Sequence, residues 1–176
     1  MNLRILLADD HTVVRQGLRK VLEERPEWAV VAEAGDGRAA VRLAEQFKPD
    51  VSILDVAMPL LNGIEATRQI ARRVPSTRIL VLTMHADEAY VAQILRAGAA
   101  GYLLKDSADV DLIQAVSEVA RGKSFFSPAI ARVMLDNYVR QGTEKDVSDR
   151  YESLSQRERE IFQLISETKT NKEIAA

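Results

Sequence analysis

Five short runs rich in leucine and β-branched residues alternate with five stretches whose apolar residues recur at helical spacing, and nothing else in the chain narrows its fold as far. Leu3–Ala8 is apolar except for Arg4, and Val14, Leu18, Val21 and Leu22 then mark one helix face. Ala29–Ala32 is the second strand candidate. Gly35-Asp36-Gly37 is a turn, followed by Ala40, Val41, Ala44 and Phe47 at helical spacing. Val51–Leu54 is the third strand, and Ile64, Thr67, Ile70 and Ala71 give the next stripe after Asn62-Gly63. Ile79–Leu82 is the fourth strand; Val91, Ile94 and Leu95 mark a helix that Gly98 stops. Gly101–Leu104 is the fifth strand, and Leu112, Val116 and Val119 mark a helix ending near Gly122. Such alternation implies right-handed βαβ crossovers and a doubly wound α/β fold, with helices on both faces of a parallel sheet. The strands lack polar alternation, as strands covered on both faces do. The expected order is 2-1-3-4-5, with ligands taken beyond the carboxyl ends of the strands, where the order reverses.

The residues predicted at that edge have a consistent chemistry. Asp9 and Asp10 end the first strand, Asp55 the third, Thr83 the fourth and Lys105 the fifth. Three carboxylates at one edge repel each other unless a cation intervenes, and carboxylate oxygens are the donors that Mg²⁺ prefers. A carboxylate can accept a phosphoryl group. Such a transfer asks the protein mainly to position the reactants and neutralise charge. Asp55 is then the acceptor, with Mg²⁺ and Lys105 facing the phosphoryl oxygens and Thr83 donating a hydrogen bond to one of them. Each residue has a plainer reading: Asp9 or Asp10 as a cap for the helix starting near Thr12, Asp55 as a turn residue, Lys105 as a solvated charge, Thr83 as a strand terminus. Their shared position at carboxyl strand ends favours a common site.

Beyond Gly122 the pattern changes. Ser127-Pro128 starts a helix with an apolar stripe of Ala131, Met134, Leu135 and Tyr138. Gln141–Tyr151 is polar and reads as a linker. Ser155-Gln-Arg-Glu158 and Thr170-Asn-Lys-Glu173 are capping boxes, the first in front of Ile161, Leu164 and Ile165. The chain has 176 residues, a formal net charge of −2 and no cysteine. Disulfides, thiolate metal sites and a cysteine nucleophile are therefore excluded. No run approaches membrane-spanning length and the N-terminal apolar run is too short for a signal peptide, so a cytoplasmic protein without membrane partners is expected.

Leu-Ala-Asp-Asp-His (7–11), Ile-Leu-Asp-Val-Ala-Met-Pro (53–59), Asn-Gly-Ile-Glu-Ala (62–66), Val-Leu-Thr (81–83) and Gly-Tyr-Leu-Leu-Lys (101–105) closely resemble receiver domains of two-component response regulators. Asp-Asp-His-Thr-Val-Val-Arg-Gln-Gly-Leu (9–18) is similar to the NarL/FixJ branch, and 154–165 with 169–175 resemble the start of a LuxR-type helix-turn-helix. The resemblance implies a flavodoxin-like (βα)5 receiver over 1–122, a helical linker over 123–151, and over 152–176 a DNA-binding fragment without its recognition helix. It implies that Asp55 is phosphorylated by a sensor histidine kinase. Asp10 and Asp55 would ligate Mg²⁺ directly, Asp9 through water, and Ala57 through its backbone carbonyl. Lys105 would pair with the phosphoryl group, Thr83 would be the hydroxyl switch, and Tyr102 the aromatic partner that changes rotamer with it. Promoter DNA is the implied target of the intact protein, and a homodimer through the receiver is a possible assembly. Asp106 stands where many receivers have proline, so a trans Lys105–Asp106 bond is expected.

Other readings carry less. His11 suits capping or packing better than catalysis, His85 a surface loop, Met58-Pro59 a rigid turn beside Asp55, Trp28 local packing, and Tyr102 also a plain strand aromatic. An aspartate-nucleophile phosphohydrolase would want an acid two residues after Asp55, where Ala57 stands. A flavin or nucleotide module would want a glycine- or hydroxyl-rich loop where Asp9-Asp10-His11 stands. A receiver acting through protein contacts alone would leave 154–175 unexplained.

Overall fold

In the computed structural model, which describes residues 2–84 and 88–142, the strands are β1 (Leu3–Ala8), β2 (Trp28–Ala34), β3 (Val51–Asp55), β4 (Arg78–Thr83), β5 (Gly101–Leu104) and β6 (Phe125–Phe126). The helices are α1 (Thr12–Glu23), α2 (Gly37–Phe47), α3 (Gly63–Arg73), α4 (Glu88–Ala97), α5 (Ala108–Ala120) and α6 (Pro128–Gly142), with a 3-10 turn at Lys105–Ser107 ahead of α5. All sheet pairings are parallel, in the order β2-β1-β3-β4-β5-β6. The expected order 2-1-3-4-5 is present and one strand longer. Phe125 and Phe126 continue the sheet past Gly122 by pairing with Gly101 and Tyr102, a two-residue match too short to leave a periodic signal. The second strand runs from Trp28 to Ala34, beyond the expected Ala29–Ala32, because β1 pairs with it along its whole length.

Strand alternation divides the core into two layers. Ile5, Leu7, Val51, Ile53, Leu80, Leu82 and Leu103 meet Leu18 and Leu22 of α1 and Leu112, Val116 and Val119 of α5. On the opposite face Leu6, Leu54 and Val81 are buried, as are Ala40, Val41 and Ala44 of α2, Ile64 and Ile70 of α3, and Ile94 of α4. Trp28 is partly buried against the α1–α5 layer, a packing role. Val14 departs from its expected stripe: it lies in the first turns of α1, near the carboxyl edge, and is 36% exposed. α2 and α3 start on side-chain caps, with Asp36 accepting from Ala39 N (2.7 Å) and Asn62 from Glu65 N (2.9 Å). Gly98 ends α4 at φ +102°, where an L side chain would be strained.

The chain divides into two compact units, Met1–Ile130 and Ala131–Ala176. In the first, Ile130 is fully buried. In the second, the described residues continue α6 to Gly142. The expected linker beyond 142, the capping boxes at 155 and 170, and His85 lie outside the described residues. Among the described residues no helix is long and apolar enough to cross a membrane.

Candidate functional site

The register of the parallel sheet brings four strand ends to one edge. Ala8 pairs with Leu54, so Asp9 and Asp55 emerge side by side where β1 and β3 meet. Asp55 pairs with Leu82, and Thr83 with Leu104, which sets Thr83 and Lys105 along the same edge. This is the switch point of the order, since the chain winds outward in both directions from β1 and β3.

Lys105 joins the acids. Its Nζ lies 2.7 Å from Asp9 Oδ2 and 2.8 Å from Asp55 Oδ2, and its side chain is only 12% exposed. Asp9 and Asp55 are both buried, whereas Asp10 is more open. Burial alone would lower the lysine's pKa, but ion pairing with Asp55 and Asp9 outweighs it and raises the value above 10.5. Lys105 is therefore charged at neutral pH. A group whose pKa rises on folding stabilises the fold fully below its unfolded value, and that contribution fades as pH climbs through the folded value. Metal-free wild type and Lys105→Met should thus differ most in urea stability at neutral pH, and the gap should close only on the alkaline side of 10.5. A gap already closed near pH 8 would contradict the pairing (about two units below lysine's ordinary value).

The site is also short of positive charge. Asp9, Asp10 and Asp55 against one lysine leave two negative charges uncompensated. The Oδ2 atoms of Asp9 and Asp55 both face Lys105, which is their shared counter-charge. Ligand atoms of Asp9, Asp10, His11 and Asp55 all lie within 4.8 Å of one another. A hard divalent cation fits this donor set in both charge and chemistry.

The peptide after Asp55 is tightly held. Val56 N donates to Leu82 O (3.2 Å), and Val56 O accepts from Met58 N (3.1 Å) and Gly63 N (2.9 Å). Ala57 follows exposed and Met58 buried, and the backbone bends through 56–59. Thr83 is buried at the end of β4. Tyr102 is fully buried, and its partner Val81 stands two residues before Thr83, so Thr83 and Tyr102 share one face of the sheet. The Lys105–Asp106 bond is trans, since no described peptide bond is cis. Neither Asp9 nor Asp10 is the N-cap of α1. That position belongs to His11, whose backbone N donates to Asp9 Oδ1 (2.8 Å).

Two contributors were not singled out from the sequence. Arg15 donates from Nη1 to the carbonyl of Asp9 (2.5 Å) and from Nε to Glu33 (3.2 Å), tying the end of β1 to β2 through α1. Its place one turn into α1 was legible; its partner on β2 was not. Gly63 starts α3 so close to β3 that a Cβ would lie 2.0 Å from the carbonyl oxygen of Asp55. Asn62-Gly63 was legible only as the boundary before the Ile64 stripe; the packing contact of its glycine was not.

Comparison with known proteins agrees with this geometry. The response regulator receiver domain profile matches residues 5–117. The transcriptional regulatory protein DegU of Brevibacillus brevis is 38% identical over 184 residues, covering 98% of this chain and 78% of that protein. The transcriptional regulatory protein LiaR of Bacillus subtilis (strain 168) is 41% identical over 172 residues, covering 98% and 80%. A LuxR-family two-component response regulator from Aurantimonas sp. SI85-9A1 superposes with a TM-score of 0.76 at 41% identity, covering 79% of this chain and 99% of that one. The isolated receiver domain of RcsB from Salmonella enterica serovar Typhimurium, solved with phosphomimetic BeF₃⁻, gives 0.70 at 33%, covering 76% and 99%. With a matching profile over its α/β sheet and relatives near 40% identity along almost its whole length, the chain belongs to the two-component response regulators of the LuxR-family, NarL/FixJ type, a family that acts in transcription and not as conventional enzymes.

Proposed function

We propose that this chain accepts a phosphoryl group on Asp55 from a sensor histidine kinase and uses it to switch a transcriptional output. The observation that carries the proposal is the Lys105 ammonium held 2.8 Å from Asp55 Oδ2 in a buried acidic crevice. In the transfer, a carboxylate oxygen of Asp55 attacks phosphorus. A P–O bond forms as the bond from phosphorus to the donor's imidazole nitrogen breaks, and the electron pair leaves with the imidazole. Lys105 orients the acceptor and then faces the phosphoryl oxygens. Asp9, Asp10, Asp55 and the backbone carbonyl of Ala57 would hold a divalent ion, which supplies charge neutralisation when bound. Arg15 and Gly63 keep the ends of β1 and β3 in place. The acyl phosphate is then lost slowly to water, with Asp55 restored.

The added group brings roughly two negative charges and three strong acceptors. Thr83 moves toward them, Tyr102 follows on the same face, and the surface of α4, β5 and α5 changes. That surface controls receiver dimerisation or release of the output module, of which 152–176 is an opening fragment without the recognition helix, beyond a receiver over 1–122 and a linker over 123–151. A ligand shifts such an equilibrium only through contacts that differ between the two states, and here Thr83 makes the difference.

The test is intact mass after incubation with acetyl phosphate and Mg²⁺. Wild type should gain one phosphoryl group and Asp55→Asn none; equal labelling of both would move the acceptor elsewhere. Thr83→Ala should keep the label but lose the phosphorylation-dependent change in the Tyr102 ring signals by NMR. An unchanged response in that variant would remove Thr83 from the switch.

A further inference from the structure

His11 has a duty that neither the acceptor chemistry nor the fold uses up. It occupies the N-cap of α1, where serine, threonine, aspartate and asparagine are favoured because their side chains cap, yet its side chain makes no capping hydrogen bond. Packing does not explain it either, since the side chain is 64% exposed. The imidazole turns back onto the acids instead. Its Nδ1 lies 2.8 Å from Asp10 Oδ1 and 3.4 Å from Asp9 Oδ1.

Those spacings match ligands of one ion. Two donors at right angles around a metal with bonds near 2.1 Å stand about 3.0 Å apart, and donors on opposite sides about 4.2 Å apart. The Nδ1–Oδ1 separation fits the first case, and the whole set of Asp9, Asp10, His11 and Asp55 lies within 4.8 Å. Asp9, Asp10 and Asp55 face a single lysine, so the cluster keeps a negative charge that a bound cation would offset. The backbone of His11 is anchored by its N–H on Asp9 Oδ1 (2.8 Å), so the ring is tethered beside the carboxylates.

We propose that His11 Nδ1 is a nitrogen ligand of the acidic site, and that it biases the site toward divalent ions that accept imidazole over Mg²⁺. The inference rests on the acidic site holding a divalent cation. Mg²⁺ takes oxygen and keeps its waters, so it gains little from an imidazole. Later first-row ions bind nitrogen progressively better, with Ni²⁺ well above Mn²⁺. The site would then take up Mg²⁺ through carboxylates alone and a nitrogen-accepting ion through one further bond. In that second mode the neutral imidazole carries its proton on Nε2 and its Nδ1 lone pair points at the ion.

The experiment is calorimetric titration of the whole chain with Ni²⁺ and with Mg²⁺, in wild type and His11→Ser, which places a residue favoured at an N-cap there. Ni²⁺ affinity should fall at least about tenfold while Mg²⁺ affinity changes less than about twofold. Pulsed electron paramagnetic resonance of the Cu²⁺-loaded protein should show ¹⁴N coupling in wild type and in His85→Ser, and lose it in His11→Ser. No nitrogen coupling in wild type, or an equal loss of Ni²⁺ and Mg²⁺ affinity, overturns the ligand role and leaves His11 as a hydrogen-bond partner of Asp10. Asp10→Asn separates the two levels of the argument. If it leaves Mg²⁺ binding unchanged, the underlying metal site fails, and the His11 ligand with it.

Discussion

Lys105→Met should cost about 3 kcal/mol of stability at neutral pH in the presence of a chelator, because it removes one partner of a buried ion pair and leaves the other uncompensated. Two carboxylates lose their counter-charge at once: Nζ is within 2.8 Å of both Asp9 and Asp55, and neither is more than 2% exposed. Methionine has nearly the stem length of lysine, so little of the loss comes from packing. The same substitution should make stability steeply dependent on divalent ions. With Lys105 gone, all three acids are uncompensated, and a cation at free concentration c that binds only the folded chain stabilises it by RT ln(1 + c/Kd), which grows as the affinity rises. Urea unfolding followed with and without excess Mg²⁺ should therefore show a larger Mg²⁺ increment in the variant than in wild type. Equal stabilities in chelator would mean that the lysine does not support the acidic edge, and equal Mg²⁺ increments would mean that it does not compete with the metal for it. Phosphoryl acceptance should also slow sharply, since the only ammonium at Asp55 among the described residues is removed.

The second large effect concerns glycine. Gly63→Ala should destabilise the chain by about 3 kcal/mol, the upper end of what overpacking costs. The added Cβ would sit 2.0 Å from Asp55 O, 2.8 Å from its carbonyl carbon and 2.8 Å from Val56 Cα, all of them backbone atoms that no rotamer change can move. Either α3 slides outward, giving up the Gly63 N–Val56 O hydrogen bond, or the Asp55 peptide shifts and takes the Asp55 carboxylate with it. Loss of acetyl phosphate labelling should accompany the loss of stability. Gly17→Ala is the control with the opposite sign. Gly17 lies inside α1, and an added Cβ there would meet nothing within 4 Å, so alanine should stabilise by up to about 1 kcal/mol through helix propensity. Chemical denaturation of both variants decides the matter. A neutral Gly63→Ala would show that the close approach of α3 to β3 is not maintained in solution.

Much of the molecule could be read from its residues alone. The parallel sheet followed from the alternation of strand and helix periods, which is local information carried by residues such as Val51–Leu54 and Leu112, Val116 and Val119, and its order from what is usual in that fold. The membership of the acidic edge followed from one topological rule, because Asp9, Asp55, Thr83 and Lys105 each come directly at or after the end of a strand. β6 was missed because a two-residue strand has no period to detect, and the true span of β2 was missed because pairing with β1 extends it past its apolar run. Val14 shows the reverse limit: a residue at the right spacing for a core face stays exposed because the first turns of α1 lie near the open edge of the sheet.

The alternation of apolar periods and the residue types at the strand ends thus determined the architecture and the class of chemistry. Only the tertiary structure decided which groups meet. It set Lys105 between Asp9 and Asp55, brought Arg15 onto the Asp9 carbonyl, pressed Gly63 against the Asp55 peptide, and turned His11 away from its cap and onto Asp10. The physical reason is one of range. Period and propensity act between residues a few positions apart, whereas an ion pair joining positions 55 and 105 is specified by strand register and side-chain reach, which no local stretch encodes.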